Sequence, residues 1–347
     1  MDVESKSVRK FLVWGILILL LIVSSVAWVN WQDFKQRPIS AHNETLILQV
    51  KKGSNATQIA HQLHRHGFMN HPQWFVWYLR FLDKHHRLKA GEFAIQPSFT
   101  VDELIDVLIK GESVSYPATI IAGQTFKQTL QQLQALEKLK KELDLSDVAS
   151  LQTILGVEGK INPKYPYANL EGHFLPETYY YQSGDSDKTI LLRAKLAMDQ
   201  VLQDAWQARQ KNLPLKSPQE ALILASIVEK ETGYAPERSE IAGVFVNRLR
   251  RNMRLQTDPT VIYGIGAEYD GNIRKRDLNR KTAYNTYQID GLPPTPIAMP
   301  SREAIQAVMQ PQETRALYFV AKGGGQHEFS NTLLEHNRAV RKYILNK

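Results

Sequence analysis

A long uncharged stretch near the start of the chain constrains the fold more than any other feature of the sequence. Residues 11–29 read FLVWGILILLLIVSSVAWV and contain no charged side chain. As a helix with a rise of about 1.5 Å per residue, this stretch is about 28 Å long, close to the ~30 Å hydrocarbon core of a bilayer. Trp14 lies near one end and Trp28 near the other, where indole rings favour the membrane interface. We therefore expect a transmembrane helix.

Basic residues set the orientation expected for this helix. Lys6, Arg9 and Lys10 precede it closely, and the positive-inside rule keeps such a segment in the cytoplasm. Residues 1–10 are therefore a predicted cytoplasmic tail, and the chain after the helix is predicted to be exported. This location excludes nucleic acid and cytosolic nucleotides as expected ligands.

A cleaved signal peptide is the competing interpretation of the same stretch. Ser25-Val26-Ala27 resembles a small-x-small cleavage pattern. However, the apolar run is longer than the roughly 7–15 residues typical of signal peptides, and the bulky Trp28 directly follows the candidate cleavage site. We therefore favour the anchor, and both interpretations place the remaining chain outside the cytoplasm.

Composition limits the chemistry available to the exported region. The 347-residue chain has no cysteine, which excludes disulfides, a cysteine nucleophile and thiolate metal sites. Its net charge of +8 is modest and scattered, which suits an acidic polymer or a membrane surface. His327 and His336 lack the spacing of a metal-binding motif. No metal and no other cofactor is expected.

The exported chain divides by its pattern into two regions, and we expect an α+β fold class. Residues 44–115 contain two short strand patterns, near 46–51 and 91–95. Helix signals at Asn55, Pro72 and Thr100 make this a β-α-α-β-α unit. The aromatic residues at 74–81 are typical of a helical core stripe, although they could also bind sugar faces.

Residues 120–347 are predicted to form the larger α+β domain. Helical patterns cover residues 124–150 and 189–210. The glycine run at 323–325 lacks the ending of a phosphate-binding loop, so we predict a hairpin turn there instead.

One predicted helix in this domain carries the strongest candidate for chemistry. Ser217, Pro218 and Glu220 form a helix start signal, in which Glu220 completes a capping box. The following residues read ALILASIVEKET, and Gly233 is a natural stop. Because apolar residues cover most of its circumference, we expect this helix to be largely buried.

Two glutamates near the end of this helix face different directions. Glu231 lies within about 20° of Leu224 around the helix axis, whereas Glu229 points about 140° away from Leu224. Burial and the negative end of the helix dipole both raise the pKa of Glu231. A carboxyl group that stays protonated near neutral pH can be the general acid of glycosidic cleavage. On periodicity alone, a solvent-facing glutamate is the common alternative, and Glu229 could pair with Arg248 or Arg250.

The chain resembles the endolytic murein transglycosylase family, also called MltG or YceG-like, in four long motifs. These are ASIVEKET at 225–232, NRLRRNMRLQTDPTVIYGIG at 247–266, AYNTYQIDGLPPTPIAMP at 283–300 and LYFVAKGGGQHEFSNTLLEHN at 317–337. The segment EGHFLPETYYY at 171–181 and the apolar N-terminus extend the resemblance over nearly the whole chain.

The resemblance implies a single-pass enzyme of the bacterial cytoplasmic membrane, with a LysM-like domain at 44–115 and a periplasmic or extracytoplasmic catalytic domain at 120–347. It implies cleavage of the bond between N-acetylmuramic acid (MurNAc) and N-acetylglucosamine (GlcNAc) within nascent peptidoglycan strands. The products would carry 1,6-anhydro-MurNAc ends, and the cleavage would terminate strand elongation. Peptidoglycan synthases (penicillin-binding proteins) are the implied protein partners.

The resemblance also assigns roles to individual residues. The second glutamate of the family motif E-K-E-[TA] is catalytic, which implies this role for Glu231, the residue that the helical pattern also favours. Thr232 resembles the hydroxyl residue that positions this glutamate in related enzymes. Motif positions with side chains suited to sugar groups are implied to bind substrate, together with Thr232: Gln256, Asp258, Tyr284, Asn285, Tyr287 and Glu177. A packed strand remains an equal alternative for residues 284–287.

Two other functions remain compatible with the sequence. A non-catalytic, anchored scaffold would bind peptidoglycan through the LysM-like unit. A lysozyme-like hydrolase would use Glu231 with water, but such enzymes normally need two carboxylates at a set separation. Asp258 and Glu177 are the nearest candidates for a second carboxylate, and each is better suited to orienting loops or sugar hydroxyls.

Overall fold

The chain begins with one long helix, α1 (Asp2–Gln36), in the computed structural model, which describes residues 2–41 and 43–345. Among the described residues, Leu12–Gln36 is the one helical stretch long and apolar enough to cross a membrane. The apolar side chains of this stretch are exposed up to Val29. The predicted apolar helix is therefore present. The side chains of residues 1–11, which include the predicted basic flank, lie outside the described part of the structure.

The chain forms two compact units, Met1–Ser115 and Tyr116–Lys347, called the first and second unit below. Each combines helices with small two-stranded sheets, so the predicted α+β class is confirmed.

The first unit follows α1 with a strand, two helices, a strand and a helix. Its elements are β1 (Leu46–Val50), α2 (Ala56–Arg65), α3 (Pro72–Phe81), β2 (Gly91–Ile95) and α4 (Val101–Lys110). Asn55 and Thr100 each form a capping box at the start of a helix, as their sequence signals predict. The two strands pair antiparallel, with Leu46 opposite Ile95 and Val50 opposite Gly91.

The core of the first unit joins one face of this sheet to α2, α3 and α4. Phe75 and Leu79 of α3 are fully buried in it, together with Leu48 of β1. Burying such a side chain contributes roughly 1.5–3 kcal/mol. The aromatic helix is thus partly a core stripe, but Trp77 and Phe81 on its other face remain 61% and 83% exposed.

The second unit contains most of the helices. Its elements are β3 (Ser115–Thr119), α5 (Phe126–Gln134), α6 (Val148–Leu155), β4 (Thr178–Gln182), α7 (Asp187–Gln207), α8 (Pro218–Glu231), α9 (Arg238–Arg250), α10 (Asp258–Ile265), α11 (Lys275–Asn279), α12 (Arg302–Met309), β5 (Tyr318–Gly323), β6 (Gln326–Ser330) and α13 (Leu333–Val340). Strand β3 pairs with β4, and β5 pairs with β6 in the hairpin predicted around the glycine run.

The prediction of a helix over residues 124–150 is wrong for the middle of this segment. Helix α5 ends at Gln134, and α6 begins only at Val148. The intervening chain wraps around the buried carboxylate of Asp187, which accepts hydrogen bonds from the Glu142 N–H at 2.9 Å and from Gln134 Nε2 at 2.8 Å. These tertiary hydrogen bonds replace those that a continuous helix would make.

Helix α8 lies at the centre of the second unit. Its residues from Ala221 to Val228 are all buried, and they pack with α9 and α12. A helix that is apolar on all sides needs such complete coverage. Gly243 of α9 permits a close approach, because a Cβ at this position would lie 2.5 Å from the carbonyl oxygen of Gln312.

Candidate active site

Glu231 is the last residue of α8, where the buried helix meets polar loops. Ser217 caps the start of the helix and Pro218 occupies its first turn, as predicted. The capping box is incomplete, because the Glu220 carboxylate accepts a hydrogen bond from the Lys216 N–H instead. At the other end the chain becomes extended at Thr232, and Gly233, the predicted stop, follows directly. Glu231 therefore sits at the carboxyl end of α8, half-buried.

A threonine hydroxyl from a distant loop holds the Glu231 carboxyl group. Thr257 Oγ1 donates a short hydrogen bond to Glu231 Oε1. Thr257 is itself fixed, since its N–H donates to Thr286 Oγ1 at 3.0 Å and its carbonyl oxygen accepts from Thr260 Oγ1 at 2.8 Å. The preceding Gln256 has a φ of +50°, a left-handed conformation that turns the chain into α10. The carboxyl group is thus oriented by a buried network of hydroxyl groups.

Burial raises the pKa of Glu231 from 4.5 to about 7. Loss of hydration is the largest cause because it disfavours the charged form. The hydrogen bond from Thr257 and the charge of Arg248 act in the opposite direction, whereas the charge of Asp258 raises the pKa further. Near neutral pH this group therefore exists in both protonation states, so it can donate and accept a proton.

Arg248 supplies a fixed positive charge near this carboxyl group. Its guanidinium donates to the carbonyl oxygens of Leu317 at 2.7 Å and Leu255 at 2.8 Å. It also donates to Gln256 Oε1 at 3.3 Å and lies over the Tyr318 ring at 5.1 Å. These contacts tie α9 to the loop that carries Thr257.

Exposed polar side chains continue from this loop toward solvent. Tyr287 is half-buried, and its hydroxyl donates to Asp258 Oδ1 at 2.7 Å. Gln256 and Asp258 are exposed on either side of the buried Thr257. Gln256, Asp258 and Tyr287 are thus brought together beside Glu231, and we call these three residues the polar edge.

Tyr284 and Asn285 lie in the interior instead. The Tyr284 hydroxyl is 2.7 Å from Thr295 Oγ1, and its ring packs against Tyr165 and Tyr263. Asn285 Nδ2 donates to the carbonyl oxygens of residues 277, 278 and 280 at 2.7–3.0 Å. Both side chains are fully buried, so they support the loop from below. Residues 284–287 form a turn, not the strand considered as an alternative.

Thr232 and Glu177 make contacts away from the Glu231 carboxyl group. The buried Thr232 hydroxyl accepts a hydrogen bond from the Tyr234 N–H at 2.9 Å. Glu177 is exposed and forms an ion pair with Arg302 at 2.9 Å. The hydroxyl group that contacts Glu231 is therefore that of Thr257. The sequence analysis did not predict this residue, although it predicted that both of its neighbours, Gln256 and Asp258, bind substrate.

Glu229 has a structural role two residues before Glu231. Its Oε2 atom accepts the Ser301 N–H at 3.0 Å and, at short range, the Ser301 hydroxyl group. Its cationic neighbour is Arg238 at 4.0 Å, in place of Arg248 or Arg250. Because Ser301 caps α12, Glu229 joins the end of α8 to the start of α12.

Another carboxyl group with a raised pKa lies in the segment 171–181. Glu171 accepts the Phe126 N–H at 2.7 Å and the Tyr263 hydroxyl at 3.3 Å. Burial raises its pKa to about 8. Glu171 is a buried group held by its own partners, and no bond joins it to the polar edge.

One cluster among the described residues has the geometry to hold a metal ion. Asp83, His85 and His86 of the first unit are exposed, and their ligand atoms lie within 4.8 Å of one another. The cluster contains none of the candidate catalytic or sugar-binding residues. His327 does not belong to a metal-binding motif in the sequence. In the structure its Nδ1 atom lies 3.0 Å from the Glu237 carboxylate.

The chain is similar in sequence to a known protein family and to individual bacterial proteins. A sequence profile of the YceG-like family matches residues 48–342. An endolytic murein transglycosylase from Bacillus subtilis (strain 168) is 28% identical over 323 residues, which cover 89% of this chain and 88% of that protein. An endolytic murein transglycosylase from Streptococcus pneumoniae (strain D39) is 29% identical over 370 residues, covering 98% of this chain and 66% of the longer relative.

A solved structure is similar over most of the chain. The crystal structure of a YceG-like protein from Listeria monocytogenes is 31% identical in sequence and has a TM-score of 0.53. The match covers 86% of this chain and the whole of that protein's chain.

Proposed function

Because this chain belongs to the YceG-like family, we propose that it is a membrane-anchored lytic transglycosylase that cuts peptidoglycan strands internally. The observation that carries the proposal is the orientation and the raised pKa of the Glu231 carboxyl group. One carboxyl group, oriented by Thr257 and with a pKa raised to about 7, ends a buried helix beside exposed polar side chains. The names of the curated relatives support the same reaction class.

Glu231 acts first as a general acid in the proposed reaction. Its proton passes to the oxygen that links MurNAc to GlcNAc, and the bond between this oxygen and MurNAc C1 breaks. Burial favours the reaction because it keeps part of the Glu231 population protonated at neutral pH. The nearby Arg248 charge stabilises the carboxylate that remains.

The same carboxylate then acts as a general base. It accepts the proton of the MurNAc C6 hydroxyl while O6 bonds to C1, which gives a 1,6-anhydro-MurNAc end. The proton lost in the first step is thus recovered in the second, and no water is consumed. One carboxyl group suffices because the nucleophile belongs to the substrate.

The polar edge is the proposed sugar-binding surface. Gln256 and Asp258 are exposed, and Tyr287 offers part of an aromatic face. Amide, carboxylate and phenol groups can bind the hydroxyl and N-acetyl groups of the substrate. Thr232, Tyr284 and Asn285 would support this surface from the interior, and Glu177 would act through its ion pair with Arg302.

The anchor and the first unit are proposed to keep the enzyme near nascent strands. The apolar helix would span the cytoplasmic membrane once, with its N-terminus in the cytoplasm and the catalytic domain, residues 120–347, outside. Residues 44–115 would form a LysM-like domain that binds glycan strands. Cleavage of nascent strands at the membrane surface would terminate their elongation by penicillin-binding proteins, which are the proposed partners.

The LysM-like assignment has its own test. Removing residues 44–115 is expected to lower the affinity for glycan strands, while residues 120–347 keep their cleavage activity. If both forms bound intact strands equally well in a sedimentation assay, the first unit would have no glycan-binding role.

A lysozyme-like hydrolase is the second candidate function. The observation in its favour is Asp258, whose charge acts on Glu231 and which is exposed to solvent. In that reaction Asp258 would act as the second carboxylate, and water would replace the C6 hydroxyl group. The Asp258 carboxylate already accepts the Tyr287 hydroxyl group, which suits a positioning role better.

Product analysis distinguishes these functions. The full chain in detergent is incubated with uncrosslinked glycan strands, and the products are identified by mass spectrometry. Anhydro ends on fragments of intermediate length are expected for an endolytic transglycosylase. Reducing ends would indicate a hydrolase, and binding without products would indicate a scaffold.

A further inference from the structure

Helix α3 has an exposed aromatic face that core packing does not explain. Trp77 is 61% exposed and Phe81 is 83% exposed, one helical turn apart. The opposite face, with Phe75 and Leu79, is fully buried in the first unit. The only charged side chain of α3 is the exposed Arg80, beside these two aromatic residues.

An aromatic junction joins this helix to the end of α1. Trp31 of α1 lies 5.3 Å from the Tyr78 ring and 6.3 Å from the Trp74 ring, measured between centroids. Phe34 of α1 lies 5.6 Å from Trp74 in an edge-to-face arrangement. Such ring pairs are worth about 0.5–1.5 kcal/mol each beyond their burial. The position of α3 along α1 is therefore defined by several contacts within the first unit.

The exposed face of α3 reaches the apolar part of α1. The two helices line one groove, whose residues are Ile22, Val23, Val26, Ala27, Asn30, Trp31, Trp74 and Trp77. Ile22 precedes Val29, the end of the uncharged run, by seven residues, which is about 10 Å along the helix axis. The groove thus begins well inside the segment that would lie in lipid.

We propose that the surface formed by Trp74, Trp77 and Phe81 docks into the outer leaflet of the same bilayer that α1 spans. This inference rests on the proposed anchoring of α1. Because Trp77 shares a groove with Val23 and Val26, it must share the lipid environment of those residues. Interfacial helices bury their apolar face about 5–10 Å into the membrane surface, which agrees with the depth of the groove.

The chemistry of α3 fits a lipid occupant. Tryptophan favours the level of the headgroups, where its ring is apolar and its N–H can bond. Arg80 can contact lipid phosphate groups at the same level. The first unit would then stay at the membrane surface, so that any strand it binds would be one still close to its site of synthesis.

The chain has no cysteine, so single labels can test this docking directly in the full-length protein. Trp77→Cys and Phe81→Cys variants carry a nitroxide spin label and are reconstituted in phosphatidylethanolamine–phosphatidylglycerol vesicles. Leu17→Cys, in the uncharged run of α1, reports the anchor. Leu196→Cys, 70% exposed on α7 of the second unit, is the aqueous control. Collisions with oxygen and with a water-soluble nickel chelate report lipid and water, respectively.

We expect labels at 77 and 81 to collide with the nickel chelate severalfold less than the label at 196, while oxygen still reaches them. A lipid signal at 17 with an aqueous signal at 77 and 81 would overturn the docking and leave the anchor intact. An aqueous signal at 17 would instead overturn the anchor. Shielding of 77 and 81 from both reagents would also overturn the proposal, because it would indicate a protein occupant of the groove.

Discussion

The hydroxyl group of Thr257 is expected to set the pH range in which the enzyme works. Thr257→Val keeps the shape of this buried side chain but removes the hydrogen bond to Glu231 Oε1. Because that bond favours the ionised carboxyl group, its loss makes the carboxylate harder to form. Glu231 should therefore keep its proton to a higher pH in the variant.

The size of the effect follows from the kind of bond. A hydrogen bond to a charged group contributes about 1.5–3 kcal/mol, and about 1.4 kcal/mol corresponds to a tenfold change in proton affinity. Wild-type kcat/KM is expected to fall as the pH rises through about 7, because a smaller fraction of Glu231 is then protonated and able to act as the general acid. In the variant this fall should move upward by about 1–2 pH units. The maximum rate should also drop by about 10–100-fold, since the carboxyl group is less firmly oriented.

The assay measures the release of anhydro ends from glycan strands between pH 5 and 9, at substrate concentrations well below KM. Thr232→Val is the matched control, because the Thr232 hydroxyl contacts the Tyr234 N–H and not Glu231. The control should leave the pH profile in place. An unmoved profile in Thr257→Val, or a shift in Thr232→Val alone, would refute the assignment of Thr257 as the positioning residue.

Two further predictions concern stability. Glu229→Gln should lower the free energy of unfolding by about 1–3 kcal/mol, because a charged partner of the Ser301 cap is lost; calorimetry checks this, and an unchanged unfolding temperature would contradict it. Glu171 has a pKa raised from 4.5 to about 8, so its contribution to stability is greatest below pH 4.5 and is lost as the pH rises toward 8. Glu171→Gln should therefore make the decline in unfolding temperature between pH 5 and 8 shallower and leave the part caused by Glu231; an equally steep decline would show that Glu171 does not contribute.

Local signals in the sequence predicted the starts of helices well. Asn55, Thr100 and Ser217 all cap helices, because capping depends on residues within one turn. The end of α8 also agrees with its local signal. The chain leaves the helix at Thr232, whose hydroxyl accepts a hydrogen bond from the Tyr234 N–H, and Gly233 lies directly after this residue, as a stop glycine does.

The candidate site shows a division between local and distant information. Helical periodicity and a family motif both indicated Glu231, since both are read from neighbouring residues. Thr257 lies 26 residues further along the chain, and Ser301 lies 72 residues beyond Glu229. Such pairings depend on the packing of α8 against other elements, which no local pattern encodes.

Residue type alone was a poor guide to exposure around the site. Tyr284 and Asn285 have side chains suited to sugars, yet both are buried and bonded within the protein. Tyr287, two residues later, reaches Asp258 near the surface. In a turn, neighbouring side chains point in unrelated directions, so a single motif can contribute to both the core and the surface.

The most direct test of the account is the activity of Glu231→Gln. This variant keeps the volume of the side chain and a hydrogen-bond acceptor for Thr257, but it cannot transfer the required proton. Because one group serves both steps, the formation of anhydromuramic ends should fall by about 10⁴-fold or more, while Glu229→Gln, confirmed to be folded, should lose far less. Near-normal anhydro product from Glu231→Gln, counted by mass spectrometry, would contradict the account, as would a loss of activity confined to Glu229→Gln.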